Sequence, residues 1–166
     1  MSNLDMNYIW ELVQQAQEGD SNAFAEFFAA TCQKQFIFAR RFLGNDYAAQ
    51  EVLQQTYTQA LVDLRMIRDA SLTVAWLTEI NLKYCFDKSE THTSNAISID
   101  GTSVPIELIL SLPFTESQAL LLHYACNMKN KEISSFMEIS KSDVRRYLDR
   151  ATRRIANIGK EGSVIE

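Results

Sequence analysis

The sequence predicts an all-α chain built as two helical domains, and three observations carry that prediction. Apolar residues recur with a helical period along most of the 166 residues. Only five Gly and two Pro are present, too few to punctuate sheets. The period also fails once, over residues 89–105, a polar stretch rich in Ser and Thr that reads as a linker. This places a larger domain at 1–89, a short polar linker at 90–104 and a smaller domain at 105–166. An apolar share of 46% makes the chain globular rather than disordered.

Tyr8, Ile9, Leu12, Val13 and Ala16 form the first stripe, and Gly19-Asp20 closes that helix and caps the next. Ala23, Phe24, Phe27 and Phe28 open a second stripe. It continues through Phe36, Ile37, Ala39 and Phe42 to a stop at Gly44. Asn45 or Asp46 caps a third helix, in which Ala49, Val52, Leu53, Tyr57, Ala60, Leu61 and Leu64 share a phase. A fourth helix, from about Ser71 to Lys88, turns Val74, Trp76, Leu77, Ile80, Tyr84 and Cys85 inward. Beyond the linker, Thr115 with Gln118 reads as a capping box ahead of an apolar helix over 119–126.

The final third is more specific. Ile133, Phe136 and Met137 mark the buried face of a short helix, and Glu138-Ile139-Ser140 is a tight turn. Ser140 caps the next helix, with Asp143 three residues on, and Val144, Leu148, Ala151 and Ile155 make its core stripe. Lys141, Arg145, Arg146, Arg150, Arg153 and Arg154 fall mainly on the remaining surface. A short helix, a turn and a second helix with a cationic outer face describe a helix-turn-helix. The bland reading is a solvated basic face making pairs such as Arg145 with Asp149.

Charge is distributed unevenly. The chain carries a formal net charge of −5. Residues 1–90 hold seven Lys/Arg against twelve Asp/Glu, whereas 129–160 hold nine against four. The C-terminal end is therefore a separate electrostatic object, and the acidic first part would repel DNA phosphates.

Enzyme chemistry needs a convergent constellation, and there is no Gly-rich phosphate loop, HExxH or GxSxG. His123 and Cys126 share a helix face at i, i+3, but two ligands without two more read as core packing, so neither a metal nor a cofactor is expected. Cys32, Cys85 and Cys126 are an odd, widely spaced set expected to stay reduced. The start lacks an apolar leader and no run reaches membrane-spanning length, so the expectation is a cytoplasmic chain without membrane insertion.

Leu112-Pro113, Gln118 through Leu122, Lys131-Glu132-Ile133-Ser134, Ile139-Ser140 and Val144-Arg145-Arg146-x-Leu148-x-Arg150-Ala151 follow one pattern in order and spacing. It resembles the fourth region of the sigma-70 family, in its compact extracytoplasmic-function group. The N-terminal half resembles the family's second region. The similar segments there are Gly19-Asp20-x-x-Ala23-Phe24, Ala49-x-Glu51-Val52-Leu53-Gln54-x-Thr56-Tyr57 and Ala75-Trp76-Leu77-x-x-Ile80 with Asp87.

The resemblance implies a bacterial transcription initiation factor, with core RNA polymerase and promoter DNA as partners. An anti-sigma factor or a Ser/Thr kinase would be its regulator. It implies polymerase binding by Glu51, Gln54, Gln55 and Tyr57, and minus-ten contacts by Asn81, Lys83, Asp87 and Lys88. Minus-thirty-five contacts fall to Lys129, Asn130, Lys131, Lys141, Ser142, Arg145, Arg146, Arg150 and Arg153. Trp76, in phase with Leu77 and Ile80, reads as core.

The chain also departs from the family. Gln50 and Gln55 stand where acids are expected, and Glu79, Leu82 and Glu90 where Arg is common; Lys83 replaces an Asn. Thr56 and Thr58 lie in the depleted acidic helix, where a phosphate would restore charge, so both are candidate phosphorylation positions. The alternative is a sigma-like mimic or adaptor that binds a regulatory protein instead of promoters.

Overall fold

The computed structural model describes residues 6–70, 73–89 and 95–165, with side chains as far as Gly159. Ser71, the expected start of the fourth helix, and Glu90 and His92 lie outside the described residues. The chain divides into two compact units, Met1–Ser89 and Glu90–Glu166.

The first unit is a four-helix arrangement: α1 (Met6–Gln17), α2 (Ser21–Leu43), α3 (Asp46–Asp63) and α4 (Thr73–Lys88). Local chemistry sets its boundaries. The Asp20 carboxylate accepts from the Ala23 N–H at 3.1 Å and starts α2. Gly44, left-handed at φ 71°, ends it by donating its N–H to the Arg40 carbonyl at 2.7 Å. Asn45 is the cap of α3, accepting from the Ala48 N–H at 3.1 Å. Asp46 is thereby left to pair with Arg40.

Ile9, Leu12, Val13, Ala23, Phe27, Tyr57, Ala60, Leu64, Ile67 and Leu77 form one core cluster, against which Trp76 and Ile80 pack half-buried. The Gln17 side chain donates to the Leu64 and Ile67 carbonyls at 2.9 and 3.0 Å, pinning the single-turn 3-10 segment Leu64–Met66 to α1.

The buried face of α4 differs from expectation. Thr73, Leu77, Thr78, Asn81, Leu82, Cys85 and Phe86 are buried, while Val74, Ile80 and Tyr84 are only half-buried. The helix packs on both α2 and α3, so its inner face is wide and takes in polar residues whose bonds are satisfied internally. Thr31 and Thr56 spend their hydroxyls on the carbonyls of Phe27 and Val52, four residues back, at 2.8 and 2.7 Å. Leu82, which stands where the family commonly has Arg, belongs to this core.

The second unit opens with a feature that corrects the linker. Ala96–Ile99 (β1) and Thr102–Pro105 (β2) form an antiparallel hairpin, pairing Ile97 with Val104 and Ile99 with Thr102. Asp100 and Gly101 make its two-residue turn with φ of 50° and 85°, the positive values that right-twisted hairpins require. Ile97, Ile99 and Val104 are buried, so the segment is part of the domain core and not a solvated tether.

Then follow α5 (Ile106–Leu110), α6 (Phe114–Leu120), one π-helical turn (Leu121–Ala125), α7 (Asn130–Met137) and α8 (Lys141–Ile165). The capping box at Thr115 is not formed. α6 begins at Phe114, and the Ser117 N–H bonds the Pro113 carbonyl at 2.9 Å, so Thr115 already lies inside the helix. Proline's fixed φ starts this helix without a side-chain cap.

Candidate nucleic-acid interface

The turn between α7 and α8 is assembled from its own residues. Glu138 adopts a left-handed conformation, φ 58°, and returns its N–H to the Ser134 carbonyl. The Ser134 hydroxyl donates to the Ile139 carbonyl, closing the turn. The Ser140 hydroxyl then accepts the Asp143 N–H at 3.0 Å, the cap expected for α8. At the other end of α7, the Lys129 N–H donates to the Glu132 carboxylate at 3.1 Å.

Ile133, Val144 and Ala151 are fully buried and join the two helices. With that stripe inward, α8 presents Ser142, Arg145, Arg146, Arg150 and Arg153 outward, all exposed. Lys129, Lys131 and Lys141 are exposed as well, and Asn130 is half-buried. The basic residues differ in how far they are committed. Arg146 pairs with Asp143 at 2.8 Å and lies over the Tyr147 ring, 5.3 Å from its centroid. Arg154 donates to the buried Glu116 carboxylate at 2.7 Å and so ties α8 to α6. Arg145, Arg150 and Arg153 make no ion pair among the described residues, and the Arg145–Asp149 pair of the bland reading does not form.

In the first unit the candidate residues separate. Gln54, Gln55, Lys83 and Asp87 are exposed. Glu51 and Lys88, assigned above to different partners, form an ion pair with each other across α3 and α4. Tyr57 is buried at 5% exposure, its hydroxyl shared with Thr31, its ring edge-on to Phe27 and Phe28. It is a core residue and not a polymerase contact. Burial pushes its phenol well above the ordinary tyrosine range.

Asn81 is also removed from the surface. Its amide donates to the Gln35 carbonyl and side chain at 2.9 and 2.8 Å, and it accepts from the Cys85 thiol. Thr56 is fully buried, so its hydroxyl is not presented to a kinase in this fold. Thr58 is exposed, donating to the Gln54 carbonyl at 2.8 Å.

His123 sits 3.2 Å from the Met128 carbonyl and Cys126 is buried. Among the described residues no three His, Cys, Asp or Glu side chains gather as a metal site. Nor is any described helix long and apolar enough to cross a membrane. Sequence reasoning missed Glu116, because nothing in its spacing announces a partner 38 residues away.

The second unit thus holds a helix-turn-helix whose second helix keeps Arg145, Arg150 and Arg153 out of ion pairs among the described residues. Residues 106–155 match the family model described as sigma-70, region 4. No curated protein matches it by sequence. Among solved structures it is similar to CnrH, determined in complex with the cytosolic domain of CnrY. Identity there is 20% and the TM-score 0.50, over 95% of this chain and 99% of that one. It is similar also to a chain of the RsbN–BldN complex, at 18% identity and a TM-score of 0.42, over 88% and 98%. The likeness to CnrH is one of fold.

Proposed function

We propose that this chain is a sigma factor of the extracytoplasmic-function group, acting in the cytoplasm by binding and not by catalysis. It joins core RNA polymerase and directs it to promoter DNA. The observation that carries the reading is the match to sigma-70, region 4, on a helix-turn-helix whose second helix holds Arg145, Arg150 and Arg153 free. Arginine meets guanine edges and phosphates through paired hydrogen bonds, and one helix fits the major groove. α8 is thus assigned the minus-thirty-five element, with Ser142, Arg145 and Arg150 nearest the bases and Lys129, Asn130, Lys131, Lys141, Arg146 and Arg153 on the backbone.

The exposed face of α3, with Glu51, Gln54 and Gln55, is assigned to polymerase. Lys83, Asp87 and Lys88 on α4 are assigned to the minus-ten strand. CnrH is held by a cytosolic protein domain in its structure, and an anti-sigma protein is proposed as a regulator here. Exposed Thr58 is the remaining phosphorylation candidate on the acid-poor helix, for a Ser/Thr kinase.

The test is binding to core polymerase followed by run-off transcription from genomic fragments. Stable binding with new, specific start sites is expected. Binding to neither polymerase nor duplex DNA would overturn the proposal in favour of a mimic or adaptor.

A further inference from the structure

We propose that Glu51 and Lys88 form a charge latch that couples polymerase binding to promoter contact, an inference that rests on the function proposed above. The two residues sit on different helices. Tyr84 donates to Gln59 at 3.2 Å, and Lys88, one turn further along α4, reaches back to Glu51 on α3, so the helices run antiparallel. Packing of α3 on α4 holds both stems, and the side chains are 41% and 30% exposed, open to an outside competitor.

Glu51 is the acid that survives where Gln50 and Gln55 replace the others, and Lys88 is one of two basic residues assigned to the minus-ten strand. In the free chain each neutralises the other. The carboxylate is masked from a basic polymerase surface and the ammonium from a phosphate. A cation supplied by polymerase at Glu51 releases Lys88, so the promoter contact becomes available only once polymerase is engaged. By linkage, DNA at Lys88 exposes Glu51 in turn. An ion pair at this exposure is weak, which suits a latch that must open in exchange for an equivalent contact.

The experiment titrates the full chain with a short single-stranded minus-ten oligonucleotide, with and without saturating core polymerase. Glu51→Gln alone is expected to tighten DNA binding by the free chain about threefold and to steepen its log–log salt dependence by about 0.7, one added phosphate contact on a single strand. Adding Lys88→Gln must abolish that gain. With polymerase bound, the wild type and Glu51→Gln should converge, because the latch is already open.

A gain that survives in the double variant would be general relief of repulsion and would overturn the latch. So would equal DNA affinities of wild type and Glu51→Gln without polymerase, or a gain that persists undiminished with it. Failure of the wild type to bind polymerase at all would instead strike down the function on which the latch rests.

Discussion

Asn81 shows how a residue type misleads until its partner is known. An Asn in the middle of an amphipathic helix is ordinarily at the surface, where it would meet DNA; here it is fully buried and holds Gln35 by two hydrogen bonds. Asn81→Ala leaves the Gln35 side-chain oxygen and the Cys85 thiol without this partner in the core and should cost about 1–3 kcal/mol, read as a lower urea midpoint for the first unit. Lys83→Ala, two residues on and exposed, should stay within about 0.5 kcal/mol.

Tyr57 makes a second prediction. Its pKa lies above the ordinary 10.0 because burial disfavours the phenolate. The folded state therefore holds its proton while the unfolded state releases one, so stability is retained below pH 10 and falls as pH rises beyond it. Tyr57→Phe should flatten that alkaline decline, measured as unfolding midpoints across a pH series. The apolar phase of α3 was legible at Ala49, Val52, Tyr57 and Ala60, though Leu61 is exposed, and that of α4 was misread in part. Which polar residues join the core was not legible, because partners such as Gln35 and Asn81 lie 46 residues apart.

At the scale of elements, the caps at Asp20, Asn45 and Ser140 and the turn at 138–140 were legible, because each is a contact within four residues. The hairpin was equally local. Asp100-Gly101 between Ile97, Ile99 and Val104 is a strong two-residue turn signal. It was hidden by the Ser and Thr around it, since four-residue strands are too short to establish a period.

In the function proposed above, α8 has two jobs that its arginines divide between them. Arg153→Ala removes an uncommitted cation assigned to the DNA backbone and should reduce the log–log salt slope of duplex DNA binding by about 0.9. Arg154→Ala leaves Glu116, 4% exposed, without its partner. Because Arg154 is itself half-exposed, the cost should be about 1–3 kcal/mol of stability, with the slope unchanged. A slope change for Arg154 equal to that for Arg153 would mean that the tie to α6 opens on DNA.

At the scale of the whole molecule, each unit has its own core, and the charges are divided in a way that the total conceals. Residues 1–89 hold seven Lys/Arg against eleven Asp/Glu, and 90–166 hold nine against ten. The second unit is thus nearly neutral overall and basic only along 129–160, while the first is acidic in total. A duplex that binds the intact chain is drawn by one charge balance and repelled by the other. Expressed alone, residues 95–166 should unfold cooperatively and bind duplex DNA about threefold more tightly than the full chain at low salt. The advantage should vanish as ionic strength rises, because long-range repulsion is screened while contacts at α8 persist. Residues 1–89 alone should retain binding to core polymerase and show no duplex affinity. If the C-terminal fragment bound DNA more weakly than the whole chain, the first unit would have to contribute contacts of its own even without polymerase. Lys83 would then be the first residue to replace, since it is exposed and, unlike Lys88, is not tied to Glu51.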